Sequence, residues 1–173
     1  MHQEPNFATI TTFIFDIDGV LTDGTVLVME NGVQARRMSI KDGFALQLAV
    51  KKGYRIIIIS GSAPSPVIDR LAKLGITDVN MEVLDKKSFI SSLMNQHGIK
   101  IEEVLFMGDD LPDLPAMSVV GLPACPSDAA DEIREVVKYV SPRKGGCGCV
   151  RDVIERVMKH KGDWEFHPDV ASR

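Results

Sequence analysis

Cysteine is scarce in this chain: Cys125, Cys147 and Cys149 are the only three among 173 residues. An odd, small thiol count excludes a disulfide-built miniprotein and points to a reducing compartment. Long apolar runs are missing as well. None exceeds four residues, as in Ile56 to Ile59, far short of a bilayer span. The opening MHQEPNFATITT has neither the basic stretch nor the apolar stretch of a secretory leader, so a cytoplasmic protein is expected. Positive charge is not in excess: 20 Lys and Arg face 24 Asp and Glu, a net charge of −4. That balance offers no general attraction to nucleic acid or to a membrane surface. What is present is ordinary for a folded protein, 45% apolar and 25% charged, over a length that suits one domain spanning 1–173.

Three short apolar runs stand out: Phe13-Ile14-Phe15, Arg55 to Ser60 with four consecutive isoleucines, and Val104 to Met107. Runs apolar on both faces predict strands buried on both sides, as in a parallel sheet. Amphipathic stretches alternate with them. Helices are predicted over 43–52, 66–74, 86–97 and 150–160, with another opening at Ser127-x-x-x-Asp131. Strand alternating with helix predicts an α/β, doubly wound, mainly parallel sheet of Rossmann-like type. One segment breaks the alternation. Between Gly24 and Ile40 the chain reads TVLVM, then Glu30-Asn31-Gly32, then VQARRMSI. Asn-Gly between β-rich runs predicts a protruding β-hairpin with a type I′ turn. Two strands alone are marginal in water, so Val26, Leu27, Val28 and Met29 need a partner, either the body of the domain or another subunit. The tail over 161–173 reads as irregular, with Trp164 and Phe166 as docking points.

In open parallel sheets ligands bind beyond the C-terminal strand ends. Acids and phosphate-holding groups collect there. Asp16 and Asp18 follow the first predicted strand, Ser60-Gly61-Ser62 the second, and Asp109, Asp110 and Asp113 the later one, while Lys86 opens a helix. Taken singly, an Asp at a strand end is more often a turn or cap residue. Taken together, so many carboxylates in one crevice repel each other unless a cation joins them. Hard Mg²⁺ takes oxygen ligands and keeps waters for a phosphate-bearing substrate. Lys86 and the Ser60 hydroxyl then complete an anion site.

These residues resemble the haloacid dehalogenase superfamily of phosphohydrolases. The four motifs are Asp16-Ile17-Asp18-Gly19-Val20-Leu21-Thr22, Ser60 within IIIISGS, Lys86, and Gly108-Asp109-Asp110-Leu111-Pro112-Asp113. The resemblance implies that Asp16 is a nucleophile forming an aspartyl phosphate and that Asp18 is the acid and then the base. It implies Mg²⁺ held by Asp16, the Asp18 carbonyl and Asp109, with Asp110 and Asp113 ligating through water or orienting the site. Ser60 and Lys86 hold the phosphoryl oxygens. The 44 positions from Asp16 to Ser60 and the 49 from Ser60 to Asp109 leave no room for a cap domain. The chain is closest in pattern to the capless, tetrameric phosphatases of eight- and nine-carbon sugar-acid phosphates. That likeness rests on DIDGVLTDG, the hairpin, Lys41-Asp42-Gly43-Phe44, Asp69-Arg70, GDDLPDLPAM and the late Gly145-Gly146-Cys147-Gly148-Cys149 segment. It implies a homotetramer through the hairpin and the glycine-rich segment, with Arg70, Asp42, Gly61 and Ser62 as substrate-binding residues. Ser62 departs from the long polar residue usual after the second motif. Two other classes stay open on sequence: a phospho-accepting receiver domain and a non-catalytic oligomerisation module. The receiver fits less well, because its acceptor Asp lies on a middle strand, and the intact acids argue against the module.

Overall fold

β1 (Thr12–Phe15) is buried along its whole length and sits inside a six-stranded sheet. Its neighbours are β4 (Arg55–Ile59) and β6 (Val104–Met107), both parallel to it, in the registers Phe13↔Ile56 and Phe13↔Leu105. With β5 (Val79–Asn80), β7 (Leu122–Cys125) and β8 (Tyr139–Val140) the order is β5-β4-β1-β6-β7-β8. The computed structural model describes residues 5–171. The outermost residues of the expected 1–173 span, and the end of the tail expected over 161–173, lie outside the described residues.

Side-chain alternation divides the core. Phe13, Phe15, Ile56 and Ile58 face α1 (Ile40–Lys51), α2 (Val67–Lys73) and α6 (Cys149–Lys161). Ile14, Ile57 and Ile59 face α3 (Lys86–His97), α4 (Leu114–Met117) and α5 (Asp131–Val136). Strands covered on both sides must be apolar on both sides, which is the pattern the sequence carries. In α6 the buried set Val150, Val153, Ile154, Val157 and Met158 follows helical spacing, while Arg156 and Lys159 point outward. Trp164 docks edge-on to Phe44 with ring centres 6.4 Å apart, whereas Phe166 is exposed. No helix among the described residues is long and apolar enough to cross a membrane.

The protruding hairpin is real but smaller than predicted: β2 (Leu27–Val28) pairs antiparallel with β3 (Gln34–Ala35), and a single bridge, Thr22 to Met38, continues it. Its turn is not the predicted type I′. Gly32 alone has positive φ, +80°, and its N–H donates to Met29 O at 2.9 Å while Met29 N–H donates to Val33 O at 2.8 Å. Asn31 contributes through its side chain instead, whose Oδ1 accepts from Val33 N–H. A second difference lies at α5. Ala130, not Ser127, stands at its N-cap, because Ala130 N–H is held by Asp109 O at 2.8 Å.

Candidate active site

Chain direction brings the acids together. Parallel strands place all their C-terminal ends on one edge of the sheet, so Asp16 after β1 and Asp109 after β6 become neighbours. Between β1 and the hairpin, residues Ile17–Leu21 form one wide turn closed by Thr22 N–H donating to Ile17 O at 3.0 Å. Gly19 takes φ +84° at its centre, and a Cβ there would lie 1.9 Å from Asp109 Oδ2. Only a residue without a side chain lets the two motifs approach this closely. A pair of glycines braces the turn from outside. A Cβ on Gly145 would meet Gly19 O at 2.0 Å, and Gly146 N–H donates to Val20 O at 2.9 Å.

Oxygens of Asp16, Asp109 and Asp113 lie within 4.8 Å of one another. Lys86 joins them: its Nζ is 3.0 Å from Asp16 Oδ1 and 2.5 Å from Asp113 Oδ1. Asp85 caps α3, accepting from Ser88 N–H at 3.0 Å, and so starts the helix with Lys86 turned inward. The other oxygen of Asp113 accepts from Asp109 N–H at 2.9 Å and from Asp110 N–H at 3.3 Å. Asp113 therefore ties the lysine to the acidic loop, while Asp110 caps the next turn through Leu111 N–H. Burial, then the charge of Asp113, push the Asp16 carboxyl up to about 7, against the pull of Lys86. Burial and the charges of Asp113, Asp16 and Asp110 push Asp109 to about 7 as well. Burial penalises the Lys86 charge, but Asp16 and Asp113 outweigh it and hold its pKa above the ordinary lysine value. Three carboxylates against a single lysine charge leave an excess of negative charge that a divalent cation on these oxygens would balance.

A cleft of about 400 Å³ opens over this cluster, lined by Asp18, Ser60, Gly61, Ser62 and Leu84 among others. Asp16, Asp18, Ser60, Lys86, Asp109, Asp110, Asp113, Gly61 and Ser62 thus share one cavity. The side chain of Asp18 takes no part in the carboxylate cluster. It turns to Ser62 and to Arg36 of the hairpin. Two candidate residues lie elsewhere. Asp42 is buried, and its carboxylate accepts from Gly148 N–H at 3.2 Å and Arg151 N–H at 2.7 Å. It caps α6 rather than reaching the cleft, and burial raises its pKa to about 6. Arg70 lines an adjoining groove of about 400 Å³ between α2 and the hairpin. Arg36 lines that groove too and belongs to none of the four motifs, so the sequence reading missed it. The only signal for it was its place on the hairpin beside the first motif.

The arrangement suits phosphoryl transfer: a carboxylate at a buried strand end, a lysine beside it, a hydroxyl after β4 and a second acid one turn away. Comparison with known proteins agrees. Residues 72–152 match the haloacid dehalogenase-like hydrolase family. The 3-deoxy-D-manno-octulosonate 8-phosphate phosphatase of Escherichia coli (strain K12) is 34% identical over 153 residues, 88% of this chain and 81% of that protein. Its Haemophilus influenzae counterpart is 31% identical over 92% of this chain and 89% of its own length. A Moraxella catarrhalis enzyme of the same name, solved with a magnesium ion, a phosphate ion and a KDO molecule, superposes with a TM-score of 0.87. It is 30% identical, covering 91% of each chain. The chain therefore belongs to the haloacid dehalogenase superfamily of hydrolases, in the same phosphatase family as these relatives.

Proposed function

We propose that this phosphatase is Mg²⁺-dependent and removes the 8-phosphate of 3-deoxy-D-manno-octulosonate 8-phosphate, giving the free sugar acid and inorganic phosphate. The observation that carries the reading is the cluster of Asp16, Asp109 and Asp113 oxygens within 4.8 Å, with Lys86 on Asp16, at the floor of one cleft. The ion would be held by Asp16, the Asp18 carbonyl and Asp109, with Asp110 and Asp113 orienting the loop. When bound, Mg²⁺ neutralises charge on the transferring phosphoryl group and permits its approach to carboxylates. The protein's own groups do the rest. Asp16 attacks phosphorus, and the bond to the sugar oxygen breaks as Asp18 delivers a proton to that oxygen. Asp18 then takes a proton from water, which attacks the aspartyl phosphate and restores Asp16. Lys86 and the Ser60 hydroxyl hold phosphoryl oxygens throughout.

The chain acts in the cytoplasm as a homotetramer in this reading. The hairpin supports the assembly, since Val26, Leu27, Val28, Met29 and Val33 are all exposed in the single chain. The glycine-rich segment commits Gly145 and Gly146 to its own subunit, so the assembly reading rests on the hairpin. Phosphate release decides the function. The eight-carbon 8-phosphate, a nine-carbon sugar-acid 9-phosphate and p-nitrophenyl phosphate are compared with and without Mg²⁺. Preference for the eight-carbon substrate by kcat/KM, lost in EDTA, is expected. Preference for the nine-carbon acid, which the departure at Ser62 would allow, transfers the assignment to that substrate. Full activity after EDTA dialysis refutes the metal dependence.

A further inference from the structure

Asp18 is held from two sides. Arg36 lies one residue beyond β3, yet its side chain is only 13% exposed. Its Nε donates to Asp18 Oδ1 at 2.6 Å and its Nη2 to Oδ2 at 3.5 Å. From the opposite wall Ser62 Oγ donates to Asp18 Oδ2 at 2.7 Å. Ser62 is itself fixed: its N–H donates to Ser60 Oγ at 3.1 Å, and its carbonyl accepts from Glu82 N–H at 3.0 Å. Glu82 has φ +59°, the single positive value outside glycine among the described residues.

A partly exposed aspartate left alone samples several rotamers. An acid–base group works only when one oxygen faces the leaving-group oxygen, and misplacement costs rate steeply. A guanidinium on one edge of the carboxylate and a hydroxyl on the other fix its plane and leave its remaining lone pairs to the cleft. The short side chain at position 62 is part of this arrangement, because a longer one would fill the space from which the hydroxyl now reaches Asp18.

We propose that Arg36 and Ser62 are positioning residues for Asp18, and that Arg36 makes the placement of the hairpin a condition of proton transfer. The proposal rests on the acid–base assignment of Asp18. Under it the hairpin serves the chemistry of every phosphomonoester, and not only the grip on one sugar.

The test measures Arg36→Gln, Arg36→Lys and Ser62→Ala on the eight-carbon 8-phosphate and on p-nitrophenyl phosphate. Each substitution is made beside Asp18 and beside Asp18→Asn, with light scattering to follow assembly. Arg36→Gln is expected to lower kcat about tenfold or more on both substrates with KM nearly unchanged, the scale of one hydrogen bond between charged groups. Arg36→Lys should recover most of that loss, and Ser62→Ala should show a smaller fall of the same kind. Beside Asp18→Asn none of the three substitutions should reduce the residual single-turnover rate further. A rise in KM confined to the sugar acid, with kcat on the aryl phosphate intact, would overturn the proposal and make Arg36 a substrate wall. Equal losses in both Asp18 backgrounds would overturn it too. If Arg36→Gln disturbs assembly, Ser62→Ala carries the same comparison, and its failure to lower kcat counts against the proposal. Should the eight-carbon substrate not be turned over, the substrate reading fails, while the comparison on p-nitrophenyl phosphate still decides the role of Arg36.

Discussion

Asp16, the proposed nucleophile, is almost fully buried beside two other carboxylates, and its surroundings leave one of its oxygens for that role. Ile17 N–H donates to its Oδ1 at 2.8 Å, and Lys86 sits on the same oxygen at 3.0 Å, so Oδ2 is the oxygen free of both partners. Asp16→Asn keeps the shape but removes the attacking charge, and is expected to lower turnover at least about a thousandfold with the melting temperature little changed. A loss of less than tenfold, with deamidation excluded by mass spectrometry, would remove Asp16 from the nucleophile role. The same environment sets a pH dependence. Asp16 and Asp109 have an ordinary carboxyl value of 3.8 when unfolded and about 7 when folded and metal-free. An acid whose pKa is raised by folding stabilises the fold below its unfolded value and loses that contribution as pH rises through the folded value. The metal-free protein should therefore lose stability between about pH 4 and pH 7. Mg²⁺ competes with protons for these oxygens, so its gain in melting temperature should be larger at about pH 8 than at about pH 5. Scanning calorimetry with and without Mg²⁺ checks this, and an equal gain at both pH values would contradict it.

Elements position the acids, and the long-range ties between elements are where the fold is most exposed to single substitutions. Asp42, near the start of α1, supplies both hydrogen bonds that cap α6, and α6 begins soon after the glycines that brace the turn following β1. Asp42→Ala removes an N-cap worth about 1 kcal/mol and leaves two N–H groups without acceptors in a part-buried place, each costing about 1 kcal/mol or more. A drop in melting temperature of roughly 5–10 °C is expected, with kcat falling through the loosened turn rather than through substrate binding. An unchanged melting temperature with a raised KM would restore Asp42 to the substrate site. Its misplacement in the sequence reading is instructive. Lys41-Asp42-Gly43 is a local string, but the partner of Asp42 lies 106 positions away at Gly148, and no local pattern reports such a pairing. What the sequence did show were features set by nearest neighbours. The doubly buried runs became β1, β4 and β6, and α3 runs over the expected 86–97 because Asp85 caps it and Gly98 ends it in left-handed geometry. β7 and β8 passed unnoticed, since Leu122-Pro123-Ala124-Cys125 carries a proline and Tyr139–Val140 is two residues long. The acids were legible because their spacing within each motif is fixed. Arg36 was not, because its meaning depends on how the hairpin folds back over the first motif.

At the scale of the whole molecule the open question is what covers the hairpin. Leu27 and Val28 are 64% and 67% exposed, and Val26, Met29, Val33 and Ile40 are exposed as well. Single exposed apolar residues are ordinary, but these are gathered on one short hairpin and the start of α1, and Val33 and Ile40 line the groove that contains Arg36 and Arg70. A two-residue pairing of β2 with β3 cannot hold such a surface in water by itself. Burying each of these side chains contributes roughly 1.5–3 kcal/mol. Hairpins packed on one another would therefore stabilise an assembly and at the same time close a site that has no cap domain. Val28→Asp with Met29→Lys should split the assembly, visible by light scattering as a fall in mass toward the single chain. The substitutions leave Asp16, Asp109 and Lys86 untouched. KM for the sugar acid should therefore rise severalfold more than KM for p-nitrophenyl phosphate, which needs no enclosing wall. If the unsubstituted protein is already a monomer with full activity on the sugar acid, the borrowed wall is refuted. The cleft of a single chain must then grip its substrate through the residues that line it, with Leu84, 88% exposed at its rim, as the nearest apolar surface.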